Sequence, residues 1–225
     1  MSAQLDLKAL EKKVFKSNFE DGLWDVYLGM LLLQISLSSF LYTLDIGPLW
    51  ILLILVLFVG LVFAAFWAAK KHIIMPRMGL VRFSDERKQK KKKLSLILSL
   101  SVLFGVLVFG LTLGLYWLAA NDITSDWVQY GWVIPFGLFL VNAVVVFSLI
   151  AYYYDFPRAY LYGWFYGLAF PLNIALDELF GIRFPFFSLL FSTIMVGIGL
   201  VLFIRFMQTH PLIDQQDDFL KGSFS

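Results

Sequence analysis

The residues best suited to carry an ion or a substrate through a membrane lie in one apolar stretch in the last third of the chain. Tyr166, Asn173 and Asp177 are spaced so that they share one face of a helix, and Glu178 lies beside that face. A carboxylate inside a membrane is costly and by default indicates function. Asn142, in the preceding apolar stretch, would lie near mid-membrane. We therefore predict that these five residues line an intramembrane path for an ion or a substrate.

Two other interpretations of this path remain open. Asp177 and Glu178 would mark only the end of a span if they reached the outer interface or paired with Arg183. The amides of Asn142 and Asn173 would serve packing, because interhelical hydrogen bonds in membranes average under about 1 kcal/mol. The position of Asp177 and Glu178, inside the membrane or at its outer interface, therefore distinguishes a polar path from a packing role.

A second candidate cluster includes the aromatic-rich stretch 152–167, YYYDFPRAYLYGWFYG. An aromatic belt at the membrane interface accounts for most of this stretch, and Arg158 would reach lipid phosphates there. An aromatic belt does not require Asp155, however. It also does not require the second Pro-Arg pair of the chain, which ends at Arg77. We predict a cytoplasmic cluster that contains both arginines and Asp155, and in which Arg77 or Arg158 pairs with Asp25.

The composition identifies the elements that must position these residues. Hydrophobic residues make up 60% of the chain, charged residues make up 15%, and the mean hydropathy is +0.79, far from the values of soluble domains. Six uncharged runs are each long enough to cross a hydrocarbon core of roughly 30 Å as helix. These runs are 26–44, 46–69, 94–121, 127–154, 159–176 and 184–204. The sequence predicts an all-α polytopic membrane protein with six transmembrane helices.

The distribution of basic residues predicts the orientation. With six spans, 17 lysines and arginines fall on the side of both termini, and Arg183 alone falls on the other. Basic residues favour the cytoplasm, so both termini should be cytoplasmic in a plasma (inner) membrane. Residues 1–20 predict a short amphipathic helix at the interface. We predict that residues 21–207 form the transmembrane domain, which includes a basic cytoplasmic loop at 70–93. Residues 208–225 are predicted to form a polar tail.

The basic loop ends in four consecutive lysines, Lys90, Lys91, Lys92 and Lys93, directly before the third run. Such a block attracts anionic lipid head groups at roughly 1 kcal/mol per base. We predict that it binds anionic lipids at the cytoplasmic face, with docking of a protein partner as the alternative. The net charge of +2 does not indicate nucleic-acid binding.

Several kinds of chemistry have no support in the sequence. There is no cysteine, there are only two distant histidines, and no hydrolase, nucleotide-binding or zinc motif occurs. We expect no cofactor, no metal and no catalytic residue, so an enzyme is disfavoured. The leading hypothesis is a transport-type protein, that is, a channel, carrier or permease subunit, working as a homo-oligomer or with a soluble cytoplasmic partner. The alternative is a non-transporting regulator, assembly factor or lipid-binding scaffold.

Overall fold

The computed structural model describes residues 19–44, 46–78, 85–120 and 133–210 of the 225-residue chain. All regular structure within these ranges is helical, which confirms the predicted all-α class. The described helices belong to two compact units. Unit 1 contains the described residues up to 78 and from 182 onward, and unit 2 contains those between 85 and 181.

Unit 1 is built from three long helices and a short helical extension. The long helices are α1 (Leu23–Thr43), α2 (Pro48–Ala69) and α7 (Phe186–Thr209). A proline at the first position of α2 suits a helix start, because its missing N–H would have no partner there. After α2 the chain continues as a π-helical turn, Lys70–Ile74, and then as α3, Met75–Met78.

Helices α1 and α7 approach each other closely through glycines. Gly22 has a left-handed φ of 77°, and a Cβ on it would lie 2.2 Å from the Gly199 carbonyl oxygen. A Cβ on Gly29 would lie 2.7 Å from the side chain of Val196. Farther along the same pair of helices, the Ser36 hydroxyl donates to the Ser188 hydroxyl at 2.8 Å. Small residues thus let two membrane-type helices pack backbone to backbone.

Unit 2 consists of α4 (Asp85–Ala120), α5 (Val133–Tyr154) and α6 (Arg158–Phe180). The last two pack through the GxxxG pair of α6: a Cβ on Gly163 would lie 2.9 Å from the Phe147 side chain, and one on Gly167 would lie 2.7 Å from that of Leu140. The similar GxxxG pair at 110 and 114 in α4 has nothing within 4 Å among the described residues. Of these two sequence patterns, one therefore serves packing within the unit.

Within the described ranges, four helical segments are long and apolar enough to cross a membrane. They are Leu23–Thr43, Pro48–Arg77, Phe136–Tyr154 and Phe186–Thr209, and they coincide with four of the six predicted runs. Helix α2 has no buried residue, and most of its leucines and both of its tryptophans are exposed. Such a surface suits contact with lipid, so the chain has the character of a helical membrane protein.

The basic stretch 70–93 is helical over most of its length, although the sequence suggested a loop. The π-helical turn and α3 occupy its first part, and α4 begins at Asp85 within its second part. Glutamate, arginine, lysine and glutamine are good helix formers, which explains why α4 begins ahead of the apolar run. The amphipathic helix predicted for residues 1–20 lies, up to residue 18, outside the described residues, as does the tail beyond residue 210.

Candidate functional site

A group of ionisable side chains lies where α1 begins, the π-helical turn follows α2, and α7 ends. We call this group, which consists of Asp21, Asp25, Lys70 and Arg77, the charged end of unit 1. Both aspartates are fully buried. Buried carboxylates are rare unless they are paired or hydrogen-bonded, so their partners indicate what the site is able to do.

Asp21 is held by two interactions on its two oxygens. Its Oδ1 accepts a hydrogen bond from the Leu23 backbone N–H at 3.0 Å, and its Oδ2 forms an ion pair with Lys70 Nζ. Burial raises the pKa of the Asp21 carboxyl above its ordinary value, and this effect outweighs the opposing influence of Lys70 and of the Leu23 hydrogen bond. The nearby charge of Asp25 adds to the increase in pKa. Asp21 thus titrates closer to neutral pH than an exposed aspartate.

Lys70 lies where the regular α-helix gives way to a π-helical turn. It opens the π-helical turn Lys70–Ile74, and single π-turns inserted in α-helices frequently occur at functional sites. Its side chain is 14% exposed. At the other end of the turn, Ile74 is buried with Leu23 and Phe206. The turn therefore connects α2 to α1 through an ion pair and to α7 through apolar contacts.

Arg77 binds the C-terminal end of α7. Its Nη1 donates to the carbonyl oxygens of Met207 at 3.2 Å and of His210 at 3.0 Å. The last carbonyls of a helix have no partner within the helix and carry negative partial charge, so a guanidinium stabilises them. The Arg77 Nε is buried, and no described residue hydrogen-bonds to it. This arginine ties α3 to α7 at the charged end of unit 1.

Aromatic rings pack beside the two aspartates. The Phe66 ring lies 4.8 Å from the Trp24 ring and 4.7 Å from the Tyr27 ring, centroid to centroid. The indole Nε1 of Trp24 is buried and makes no hydrogen bond within the described part of the chain. The aromatic packing joins α1 to α2 and helps to exclude water from the acids.

The predicted cytoplasmic cluster is divided between the two units. Asp25 and Arg77 belong to unit 1, whereas Asp155 and Arg158 belong to unit 2. The hydrogen bonds shown for Arg77 go to the end of α7, and its pairing with Asp25 stays a prediction. The guanidinium of Arg158 lies 5.1 Å from the centre of the Phe156 ring.

Asp155 has a clear conformational role in unit 2. It has a left-handed φ of 53°, and the N–H of Phe156 donates to the Ala151 carbonyl oxygen at 3.0 Å. A left-handed residue followed by this hydrogen bond is the usual way for a helix to end. Aspartate tolerates the conformation better than most residues. Asp155 thus ends α5, and α6 begins three residues later at Arg158.

The residues of the predicted polar path lie on α5 and α6. The Asn142 Oδ1 accepts a hydrogen bond from Ser101 of α4 at 3.0 Å, and the Tyr166 ring packs on the Phe147 ring at 4.9 Å. Asn173 is half-buried, whereas Asp177 and Glu178 are exposed in the last turn of α6. The inner members of the path contact neighbouring helices, and its acids lie at the helix end.

The predicted lipid-binding lysines lie in the first turns of α4. Lys92 is exposed, whereas the side chains of Lys90, Lys91 and Lys93 lie outside the described residues. Within the ranges that the structure describes, no group of three or more His, Cys, Asp or Glu side chains is placed to hold a metal ion.

Sequence reasoning missed the pairing of Asp21 with Lys70. The two residues are 49 positions apart, and nothing in their spacing points to contact. One signal was available. In a hairpin of two spans, the end of the second span lies at the same face of the membrane as the start of the first, so Lys70 and Asp21 are expected at the same face.

The fold and exposed apolar surface are those of a helical membrane protein. The chain matches no protein-family model, no curated protein and no solved structure. Function must therefore be inferred from the buried ionisable groups.

Proposed function

We propose that the protein is a six-span integral membrane protein of transport type, a channel, carrier or permease subunit, whose transport depends on protonation of Asp21. One observation carries this proposal: Asp21 and Asp25 are both fully buried at the start of a membrane-type helix, and Asp21 is ion-paired with Lys70. Buried ionisable groups in membrane helices are costly and mark ion or proton pathways.

Stability alone is a poor explanation for the ion pair. Apolar side chains of similar size often replace a buried ion pair with no loss of stability, because desolvation offsets the Coulomb attraction. Burial also raises the pKa of Asp21, so a proton binds it more readily than it binds an exposed aspartate. A neutral Asp21 no longer attracts Lys70. Proton binding would thus loosen the connection between α1 and the π-helical turn, which is a means of coupling a proton to helix movement.

The two remaining spans of the proposal are α4 and α6. At 1.5 Å per residue the 36 residues of α4 extend roughly 54 Å, more than the roughly 30 Å of a hydrocarbon core. Its lysine-rich first turns would therefore project into the cytoplasm and bind anionic lipids. Helix α6 has 23 residues, enough for a span, and would contribute Asn173, Asp177 and Glu178 to the polar path.

The orientation in this proposal has both termini in the cytoplasm. It rests on the excess of lysine and arginine on the side of the termini, 17 residues against one. The charged end of unit 1 would then face the cytoplasm, and Asp177 would face the opposite side. A plasma (inner) membrane, and either a homo-oligomer or a soluble cytoplasmic partner, are further parts of the proposal.

A second candidate function is a non-transporting regulator, assembly factor or lipid-binding scaffold. The observation that favours it is that several polar side chains bond within their own unit. Ser36 bonds to Ser188, Ser101 bonds to Asn142, and Arg77 bonds to the end of α7. Polar groups used in this way serve packing and require no transported species.

Proton flux into liposomes distinguishes the two functions. The purified full chain is reconstituted into liposomes that contain a pH-sensitive dye, and a potassium gradient with valinomycin drives protons inward. We expect wild-type protein to acidify the interior several-fold faster than empty liposomes, and Asp21→Asn to lose most of this flux. Glu20→Gln is the matched control, because Glu20 is adjacent but exposed. The variant Asp177→Asn with Glu178→Gln tests the polar path.

Two results would count against transport. Wild-type flux equal to that of empty liposomes would favour the scaffold. Equal flux in wild-type protein and Asp21→Asn would remove Asp21 from the transport step. Size-exclusion profiles and melting temperatures of all variants separate loss of function from loss of fold.

A further inference from the structure

Unit 1 contains an apolar groove between α1 and α2 that the transport proposal does not use. Its volume is about 450 Å³, within the range of small-molecule sites, roughly 300–1,000 Å³. Its walls are almost entirely apolar, from Val26 and Met30 on α1 to Phe58 and Ala65 on α2. It is partly open along one side, so a flexible apolar chain has access to it.

The length of the groove matches one leaflet of a bilayer. On α2 it runs from Phe58 to Ala69, eleven positions, which span roughly 16 Å at 1.5 Å per residue. The hydrocarbon core is roughly 30 Å thick, so one leaflet contributes roughly 15 Å. The groove therefore has the depth of a single acyl chain that extends from the interface to the middle of the membrane.

The Ala69 end of the groove has the features of a membrane interface with positive charge. Lys70, Lys71 and His72 follow Ala69 directly, and Lys71 and His72 are exposed. The Lys71 Nζ lies 5.7 Å from the centre of the Trp67 ring, and tryptophan is enriched at the level of lipid head groups. Basic residues within one helical turn of the groove complement a phosphate at its mouth. The Phe58 end has no charged neighbour in α2.

We propose that this groove holds one acyl chain of an anionic phospholipid from the leaflet in which α1 begins, with the phosphate near Lys71 and His72. The occupant is a lipid because the walls are apolar over the depth of a leaflet. It is an anionic lipid because the exposed side chains that follow Ala69 at the mouth, Lys71 and His72, are basic, whereas Asp21 and Asp25 at this end of unit 1 are buried and Asp21 is paired with Lys70. The groove belongs to unit 1, whereas the four lysines before the third run belong to α4 of unit 2.

Native mass spectrometry of the full chain tests the proposal. The protein is equilibrated with mixed micelles of phosphatidylglycerol and phosphatidylcholine, and retained lipids are counted after mild activation. We expect the groove to retain one phosphatidylglycerol per chain, in addition to any lipid bound at the lysines at 90–93. Ala65→Phe should reduce its retention about tenfold, because the new ring fills the groove. Ala64→Phe is the matched control, since Ala64 is also exposed on α2 but does not line the groove.

A charge variant tests the head-group part of the proposal. Lys71→Gln with His72→Gln should reduce the preference for phosphatidylglycerol over phosphatidylcholine to the part that the lysines at 90–93 contribute, and leave total lipid retention nearly unchanged. Equal loss in Ala65→Phe and Ala64→Phe would overturn the proposal, as would retention that Ala65→Phe does not affect. Equal retention of the two lipids by wild-type protein would overturn its anionic part. Melting temperatures within about 2 °C of wild type confirm that each variant is folded.

Discussion

Unit 1 and unit 2 use the same packing device but place their acids differently. In both units glycines let two helices approach, through Gly22 and Gly199 in unit 1 and through Gly163 in unit 2. In unit 1 Asp21 and Asp25 are buried where α1 begins, whereas Asp177 of unit 2 is exposed at a helix end. Glycine packing therefore does not by itself create a site. The buried charge distinguishes unit 1, and experiments on matched residues of the two units test that distinction.

The largest difference is expected when one partner of the buried ion pair is removed. Lys70→Met leaves the Asp21 carboxylate buried without its partner, and such changes cost about 3–5 kcal/mol. The exposed Asp177→Asn of unit 2 should change the free energy of unfolding by no more than about 0.5 kcal/mol. Denaturant unfolding in mild detergent measures both.

The double variant Asp21→Asn with Lys70→Met is the control for the ion pair. It removes both charges, so it should recover most of the stability lost in Lys70→Met. If the double variant is no more stable than Lys70→Met, then an unpaired buried charge is not the cause of the loss.

The next effect concerns the glycine contacts. Gly199→Ala places a methyl group 2.6 Å from the Val26 backbone nitrogen, and overpacking of this kind costs about 1–3 kcal/mol. Gly197→Ala on the same helix meets nothing within 4 Å and should be neutral or slightly stabilising, because alanine is the better helix former. Melting temperatures in detergent should separate the two variants, and equal values would contradict the close packing of α1 on α7.

The corresponding change in unit 2 sharpens the comparison. Gly163→Ala meets the Phe147 side chain at 2.9 Å and the nearest backbone atom only at 3.3 Å. The atom of Phe147 is its Cβ, which is fixed to the helix, but both contacts are longer than the 2.6 Å that Gly199→Ala meets, so the drop in melting temperature should be smaller than for Gly199→Ala. A larger drop would mean that unit 2 is the more tightly packed unit.

A smaller effect is expected from the polar pairs in each unit. The buried Ser36–Ser188 bond should show a coupling energy of about 0.6 kcal/mol in a double-mutant cycle to alanine, with about 1.7 kcal/mol as the upper range for membrane proteins. The Ser101–Asn142 bond is only partly buried and should show less coupling. The reverse order would contradict the expectation that the more deeply buried hydrogen bond has the larger coupling energy.

The smallest effect is the pH dependence that Asp21 gives to stability. Its pKa is raised in the folded protein above the ordinary value of 3.8, so the folded state binds the proton more tightly than the unfolded state. The contribution of Asp21 to stability is fully present below about pH 4 and is lost as pH rises through the folded pKa. Wild-type protein should therefore lose stability relative to Asp21→Asn as pH rises. The opposite trend would mean that Lys70 outweighs burial.

The sequence allowed the main helices to be predicted, because uncharged runs leave few alternatives. The runs 26–44 and 184–204 correspond to α1 and α7. The helical start of α4 was missed because charge was taken as a sign of a loop, whereas lysine and glutamate also favour helix. Charged residues in a sequence predict well where the chain leaves the membrane, but they predict poorly where a helix begins or ends.

The charged end of unit 1 could be predicted only in part. Asp25 and Arg77 were predicted as members of a cluster from their position near a membrane boundary. The pairing of Asp21 with Lys70 depends on how α1 and α2 turn about their axes, which a single sequence does not reveal. Asp155 was predicted as a charged member of the cytoplasmic cluster. The structure shows that its left-handed backbone conformation ends α5.

The pH dependence of proton flux in liposomes tests the central claim most directly. Flux is measured at a series of pH values above 4, with the same electrical driving force, for wild-type protein, Asp21→Asn and Glu20→Gln. We predict a titration of flux in wild-type protein and Glu20→Gln, with a midpoint above the ordinary aspartate pKa, and a low, nearly flat profile in Asp21→Asn. The same titration in Asp21→Asn as in wild-type protein would contradict the claim that Asp21 is the proton-binding group.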